Sequence, residues 1–257
     1  YRRIQGWYDA LVTENGWRQI RALEERFRDI PVDAVWSSDL YRTRATARAL
    51  CVPKGLSLRT DPELREMNLG DWEDRTWGEM RHTQPEELER FNTTDPTWQA
   101  PHGESFGQLG ARLDGAVRRI ARQHPGQTVA VFSHGMAIRQ LVAVVRRVPP
   151  REWRGVPHGD NTSVTRLVWD GAEFALEEAF DNSHLDDSIS TLARQSWWRK
   201  DRKAEDVNLW FRPIRWEEER GRYLEARREA WVSTHGEQVP FDGEGFLADA
   251  RLHLSRT

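Results

Sequence analysis

Arg42, Glu66 and His134 are of the right types to handle a phosphate group together. An arginine fork holds phosphate oxygens in bidentate geometry. A histidine donates to a non-bridging oxygen, and a carboxylic acid protonates a departing alcohol. Each residue also has an ordinary reading: a solvated helix arginine, a surface glutamate, a satisfied structural histidine. Spacing alone does not bring them together.

What spacing does supply is position. The stretch TVAVFSHGMAIRQLVAVV, Thr128 to Val145, opens short, apolar and β-branched, as a strand buried on both faces of a parallel sheet. After Gly135 the apolar residues Met136, Ile138, Leu141, Val142 and Val145 follow a helical period. His134 therefore stands at the carboxyl end of a strand beside a helix N-terminus. Open α/β sheets bind ligands at that edge, and helix N-termini favour anions. Val32 to Trp36 reads as a second strand, ending at Ser37-Ser38-Asp39, with a helix from Arg42 to Leu50. Ser38 and Arg42 thus occupy the same kind of junction. Glu66 falls in the loop from Leu64 to Glu73, after a short strand at Leu56 to Arg59.

The remaining elements complete the frame. Thr13 is an N-cap for a helix to about Arg28, and Glu104 to Gln123 forms a helix with Phe106, Leu109, Leu113, Val117 and Ile120 on one face. Ser163–Trp169 and Glu173–Phe180 flank Asp170-Gly171, a hairpin turn signal. Alternating strands and helices predict an α/β protein: a three-layer α/β/α sandwich with a mainly parallel sheet, closed by an antiparallel hairpin. Residues 1–182 form the first domain. The polar stretch 183–208 reads as a linker, Phe211 to Ile214 as a strand, and Trp216 to Val232 as a charged amphipathic helix.

Composition excludes several classes. The 257 residues carry a formal net charge of −3, so no bulk field favours nucleic acid or an anionic membrane. Lysine occurs only at Lys54, Lys200 and Lys203, and the single Cys51 excludes an internal disulfide framework or a cysteine zinc site. The other histidines are not spaced as metal ligands, so no metal and no other cofactor is expected. No run reaches the roughly 20 apolar residues of a membrane span. A cytoplasmic protein is expected, with a homodimer left open.

Four motifs in order resemble the histidine phosphatase superfamily, in its phosphoglycerate mutase-like branch. RRIQGWYDALVTENG is similar to its R-x-Q-G-x-x-D-x-x-L-T-x-x-G segment, SSDLYRTRATA to S-S-x-L-x-R-T-x-x-T-A, LREMNLGDWE to its acid–base loop and VAVFSHGMAIR to its second histidine strand. PHGES, Pro101 to Ser105, fits its P-x-G-E-S helix opening. The resemblance implies phosphate binding by Arg42, acid–base work by Glu66 and a catalytic role for His134, with Gln5, Gly6 and Gly135 beside the phosphate. It implies a small phosphorylated substrate. Nearby arginines are expected to favour the ionised form of Glu66.

The family's R-H-G motif, whose histidine becomes phosphohistidine, does not occur in this sequence. The expectation is that it precedes Tyr1 and that the chain as given is inert. Glu66 and His134 are 68 residues apart, the compact arrangement of the phosphatase relatives rather than the mutases. Phosphomonoester hydrolysis is the preferred activity; mutase-type transfer and a non-catalytic phospho-ligand-binding role stay open. Trp72 and Trp77 are candidates for the substrate mouth. The segment 209–257, beginning NLWFRPIRWEEERGRYLEARREAW, resembles the start of a GNAT-type N-acetyltransferase, without that family's acetyl-CoA motif downstream. Acetyl-CoA is a partner only if such a domain is completed; the alternative is a helical extension.

Overall fold

Two side-chain hydroxyls set the phase of the helices on either side of the sheet. In the computed structural model, which describes residues 3–194, 215–235 and 238–254, Thr13 Oγ1 accepts from Gly16 N at 3.1 Å and opens α1, Glu14–Arg26. Ser105 opens α5, Phe106–Gln123, through a reciprocal box with Gln108. Glu104 therefore lies just outside the helix rather than at its start.

Between these helices runs a parallel sheet of order β2-β1-β3. Its strands are β1 (Ala34–Ser37), β2 (Leu58–Thr60) and β3 (Val129–Phe132). Helix α2, Tyr41–Lys54, connects the first two and ends at Gly55, whose φ of 65° closes the helix in the left-handed region. Side chains of β3 alternate between the two faces. Val129 and Val131 meet the core of α5 and α6 (Gly135–Val145), while Ala130 and Phe132 meet that of α1 and α2. Three layers result, as the alternation of elements predicts. One detail differs: β3 is only half-buried throughout. It is one of the two edge strands among the described residues, so helices cover its faces and β1 pairs with only one of its sides.

A separate antiparallel pair, β4 (Val164–Trp169) and β5 (Phe174–Asp181), turns at Asp170-Gly171. Gly171 has φ of 104°, and Asp170 Oδ1 accepts the amides of Ala172 and Glu173.

Between β2 and α5 the chain adds two short helices, α3 (Trp77–Thr83) and α4 (Pro85–Asn92). They close over an aromatic cluster in which the Trp72 and Trp98 rings stand 4.9 Å apart and Phe91 lies 5.1 Å from Trp98. Trp72 is 1% exposed, its indole bonded to Gln84. Trp72 is thus a core residue rather than part of a substrate mouth, and Trp77 packs half-buried against the same cluster.

The linker reading is corrected for residues 183–194. Buried Asp160 accepts from Ser190 Oγ at 2.5 Å, Thr191 N at 3.0 Å and Asn182 Nδ2 at 3.4 Å. Buried Gln19 of α1 donates to the Ile189 carbonyl and to Thr191, which starts α7, Thr191–Arg194. The start of this stretch is docked as well: Asp181 pairs with Arg26, and His184 lies 3.1 Å from Arg26 Nη1. Polar composition does not imply a loose arm when the partners are buried polar groups. Cutting the chain at Asp187 should therefore destabilise the domain by several kcal/mol, read as a drop in thermal midpoint. An unchanged midpoint would contradict this docking.

A second unit comprises Trp210–Thr257. Helix α8, Trp216–His235, buries none of its described residues, and α9 spans Gly243–Leu254. Phe246 lies 5.2 Å from Tyr223 and 6.1 Å from Phe241, and the Trp231 indole donates to the Val239 carbonyl. The expected strand at Phe211 to Ile214 lies outside the described residues. Among the described residues no helix is long and apolar enough to cross a membrane.

Candidate active site

The two helices that follow β1 and β3 both start without a local side-chain cap. Leu40 precedes α2 and cannot cap it. His134 precedes α6, and its side chain bonds elsewhere. Each helix is capped from a distance by a carboxylate. Asp9 Oδ2 accepts Tyr41 N at 2.6 Å. Glu66 accepts Met136 N at 3.1 Å through Oε2, and Ala137 N at 3.0 Å through Oε1. Orphan amides at helix N-termini are thus used to hold acidic groups at the carboxyl edge of the sheet.

His134 is buried, with Nε2 at 2.9 Å from Ser38 Oγ, across the gap between β3 and β1. Burial first, and then the charges of Arg42 and Arg112, push its imidazole well below its ordinary value. The ring is neutral at physiological pH. Glu66 is half-buried, and its carboxyl accepts the amides of Met67, Met136 and Ala137. Burial raises that carboxyl above the usual glutamate value, against the pull of the Met67, Met136 and Ala137 amides and of Arg42. This reverses the expectation that nearby arginines keep Glu66 ionised: desolvation outweighs them.

Arg42, in the first turn of α2, donates from Nη2 to the Gly6 carbonyl at 2.7 Å and from Nη1 to the Tyr8 carbonyl at 3.0 Å. Asp9 Oδ1 lies 3.6 Å away. Burial lowers the Arg42 pKa, and Glu66, Asp9 and Glu73 oppose this; an arginine stays charged regardless. Its charge reaches both Glu66 and His134. Gly6 is buried at φ of 50°, and a side chain there would collide with the Glu73 carboxyl. That carboxyl holds the loop by accepting the amides of Trp7, Tyr8 and Leu69. Gly135 provides the first amide of α6, and a Cβ there would meet nothing within 4 Å.

The structure therefore brings Arg42, Glu66, His134, Gly6 and Gly135 to one edge of the sheet. Gln5 is exposed, and its side chain bonds to none of them. Sequence reasoning placed Ser38 at the junction without a role, and it missed Asp9, Glu73 and Arg112. A signal existed for the two trans caps: leucine and histidine are poor N-cap residues, so two helices starting after them need acceptors from elsewhere.

The neutral His134 has a measurable consequence. Its NMR titration should show no proton uptake near 6.5, where free imidazole titrates. The unfolded chain takes up that proton while the native ring refuses it. Stability should therefore fall as pH drops below about 6.5. Half-buried His158, pushed down to about 4 by desolvation, contributes with the same sign. A His134 resonance titrating near 6.5 would contradict this environment.

A parallel α/β sheet with a guanidinium, a carboxyl and an imidazole at its carboxyl edge defines a class of phosphate-handling enzyme. Residues 1–182 match the family model of the histidine phosphatase superfamily (branch 1), and the chain belongs to that superfamily. A probable phosphoglycerate mutase, GpmB, of Yersinia pestis is 34% identical over 192 residues, which cover 72% of this chain and 88% of the relative. Among solved structures, Bacillus stearothermophilus YhfR matches with a TM-score of 0.69 and 31% identity, covering 72% of this chain and 92% of that one. The mycobacterial glucosyl-3-phosphoglycerate phosphatase complexed with VO3 matches with a TM-score of 0.62 and 29% identity, covering 68% and 90%.

Proposed function

We propose that the intact protein is a phosphomonoester hydrolase that works through a phosphohistidine, with a small phosphorylated substrate and no cofactor. The observation that carries this reading is the seating of the Glu66 carboxyl on the α6 amides two and three residues after His134, with Arg42 close enough to act on both. Arg42 and the Gly135 amide hold the phosphate oxygens, and His134 supports a non-bridging oxygen. Glu66, whose carboxyl burial raises above the usual glutamate value, gives its proton to the leaving oxygen as the P–O bond breaks. It then takes a proton from the water that attacks the phosphohistidine, releasing phosphate.

The nucleophile is the one part that these residues do not provide. The proposal places it in an R-H-G strand preceding Tyr1. The place of β3 at one end of the order β2-β1-β3 among the described residues supports room for that strand beside it. The compact interval between Glu66 and His134 supports hydrolysis over return of the phosphoryl group, because its helices α3 and α4 fold onto the aromatic cluster. Likeness to a solved phosphatase supports the same choice. Mutase-type transfer is the second reading, favoured by the named function of the Yersinia relative.

The test is to incubate the intact protein with a 32P-labelled phosphomonoester and quench in alkali. An acid-labile, alkali-stable label on histidine, with inorganic phosphate released in the presence of EDTA, is the expected result. Transfer to a second alcohol instead of water would favour the mutase reading. Phosphate binding with no label would favour a non-catalytic domain. Acetyl-CoA belongs to the account only if the unit Trp210–Thr257 is part of an acetyltransferase.

A further inference from the structure

The segment that carries Glu66 has no regular secondary structure, although Met67 and Leu69 anchor it in the core. Residues 65–69 lie in no strand or helix, between two short 3₁₀ turns, Pro62–Leu64 and Gly70–Trp72. Behind them lies an open depression of about 370 Å³, lined among others by Trp7, Asn68, Glu104, Gln108 and Arg112. With Met67 and Leu69 packed in the core, the main chain at Glu66 is held on the side of this depression by hydrogen bonds.

One arginine of α5 makes several of those at Glu66 and before it. Arg112 Nη1 donates to the carbonyls of Glu63 at 2.8 Å and Arg65 at 3.0 Å, and Nη2 donates to the carbonyl of Glu66 at 3.0 Å. The guanidinium is held by Glu104, with Nη2 to Oε1 at 2.5 Å and Nε to Oε2 at 3.1 Å. Glu104 Oε1 also accepts Asn68 N at 2.7 Å, so the pair grips both flanks of Glu66. The Trp7 indole adds a second donor to the Glu66 carbonyl at 2.8 Å. Both paired side chains are mostly enclosed, at 13% and 14% exposure. Glu66 is thus pinned twice: its carboxyl by α6 in front, its carbonyl by α5 behind. A planar fork with five fixed donors suits a task of several carbonyls at once.

We infer that Arg112, oriented by Glu104, is a positioning residue for the proton donor: it fixes the main chain of Glu66 so that the carboxyl meets the leaving oxygen. The inference rests on the phosphohistidine reading above. It predicts a loss confined to the step that needs the acid. In the intact protein, Arg112→Met should lower turnover on an alkyl phosphate by about 10²-fold, the scale of a misplaced catalytic group. It should lower turnover far less on p-nitrophenyl phosphate, whose leaving group scarcely needs a proton, and should leave KM for both little changed. Arg112→Lys should not rescue, since one ammonium cannot hold three carbonyls. Lysine keeps the charge that acts on His134, so a loss shared by both variants reports the fork and not the charge.

Glu104→Gln, which keeps the shape and removes the anchor charge, should show the same asymmetry at smaller size and covers the case in which Arg112→Met does not fold. Equal losses on the two substrates, or full activity on both, would overturn the positioning role. A parent enzyme that hydrolyses neither substrate would overturn the phosphatase reading itself. A parent in which Glu66→Gln shows the leaving-group asymmetry and the Arg112 and Glu104 variants do not would overturn the present inference alone.

Discussion

Replacing Glu66 by glutamine in the intact protein should lower turnover on an alkyl phosphate by about 10²–10⁴, the usual range for loss of a general acid. The structure gives this prediction its shape. The glutamine side chain can still accept from the α6 amides through its one carbonyl oxygen, so the fold should survive. It cannot give a proton to an alkoxide. p-Nitrophenoxide leaves without that help, so the loss on p-nitrophenyl phosphate should be much smaller. Burial raises the Glu66 carboxyl, so the proton is held to higher pH than in a free glutamate. Activity on the alkyl phosphate should fall as pH rises through that raised value, and this limb should vanish in Glu66→Gln. Parallel losses on the two substrates, or an unchanged pH limb, would remove Glu66 from the acid role.

Arg42→Ala should cut turnover by about 10²–10³, as deletion of an oxyanion donor does, and should raise KM as well. Two effects combine here. The fork that holds phosphate is lost, and the carbonyls of Gly6 and Tyr8 lose their donor. The Gly6 carbonyl belongs to a buried residue, and leaving such a group unpaired costs about 1–3 kcal/mol. The thermal midpoint should therefore drop together with the activity. Arg42→Lys should restore part of the stability through one carbonyl contact and little of the activity, because a point charge does not reproduce bidentate binding. Recovery of full kcat/KM by lysine would show that only the charge matters.

How much of this was legible depended on whether the controlling contacts were local. The strands at Ala34–Ser37 and Val129–Phe132 announce themselves through short apolar runs, and the cap at Thr13 through its own hydroxyl. The docking of residues 183–194 was not legible, because the partners of its polar side chains, Gln19 and Asp160, lie far away in the sequence. The same is true of Trp72, whose burial depends on Phe91 and Trp98 arriving from a later segment.

The sequence by itself determined the parallel α/β order and the two strand-to-helix junctions, and its family resemblance named Arg42, Glu66 and His134 as candidates for acting on phosphate. Those follow from period, composition and motif, which are local properties. Only the tertiary structure decided what state those residues are in. Whether Glu66 is a proton donor depends on how far α6 and α5 enclose it, and whether His134 is neutral depends on burial and the charges of Arg42 and Arg112. Desolvation and through-space charge are sums over neighbours brought together by folding, and no stretch of sequence near residue 66 or 134 contains them.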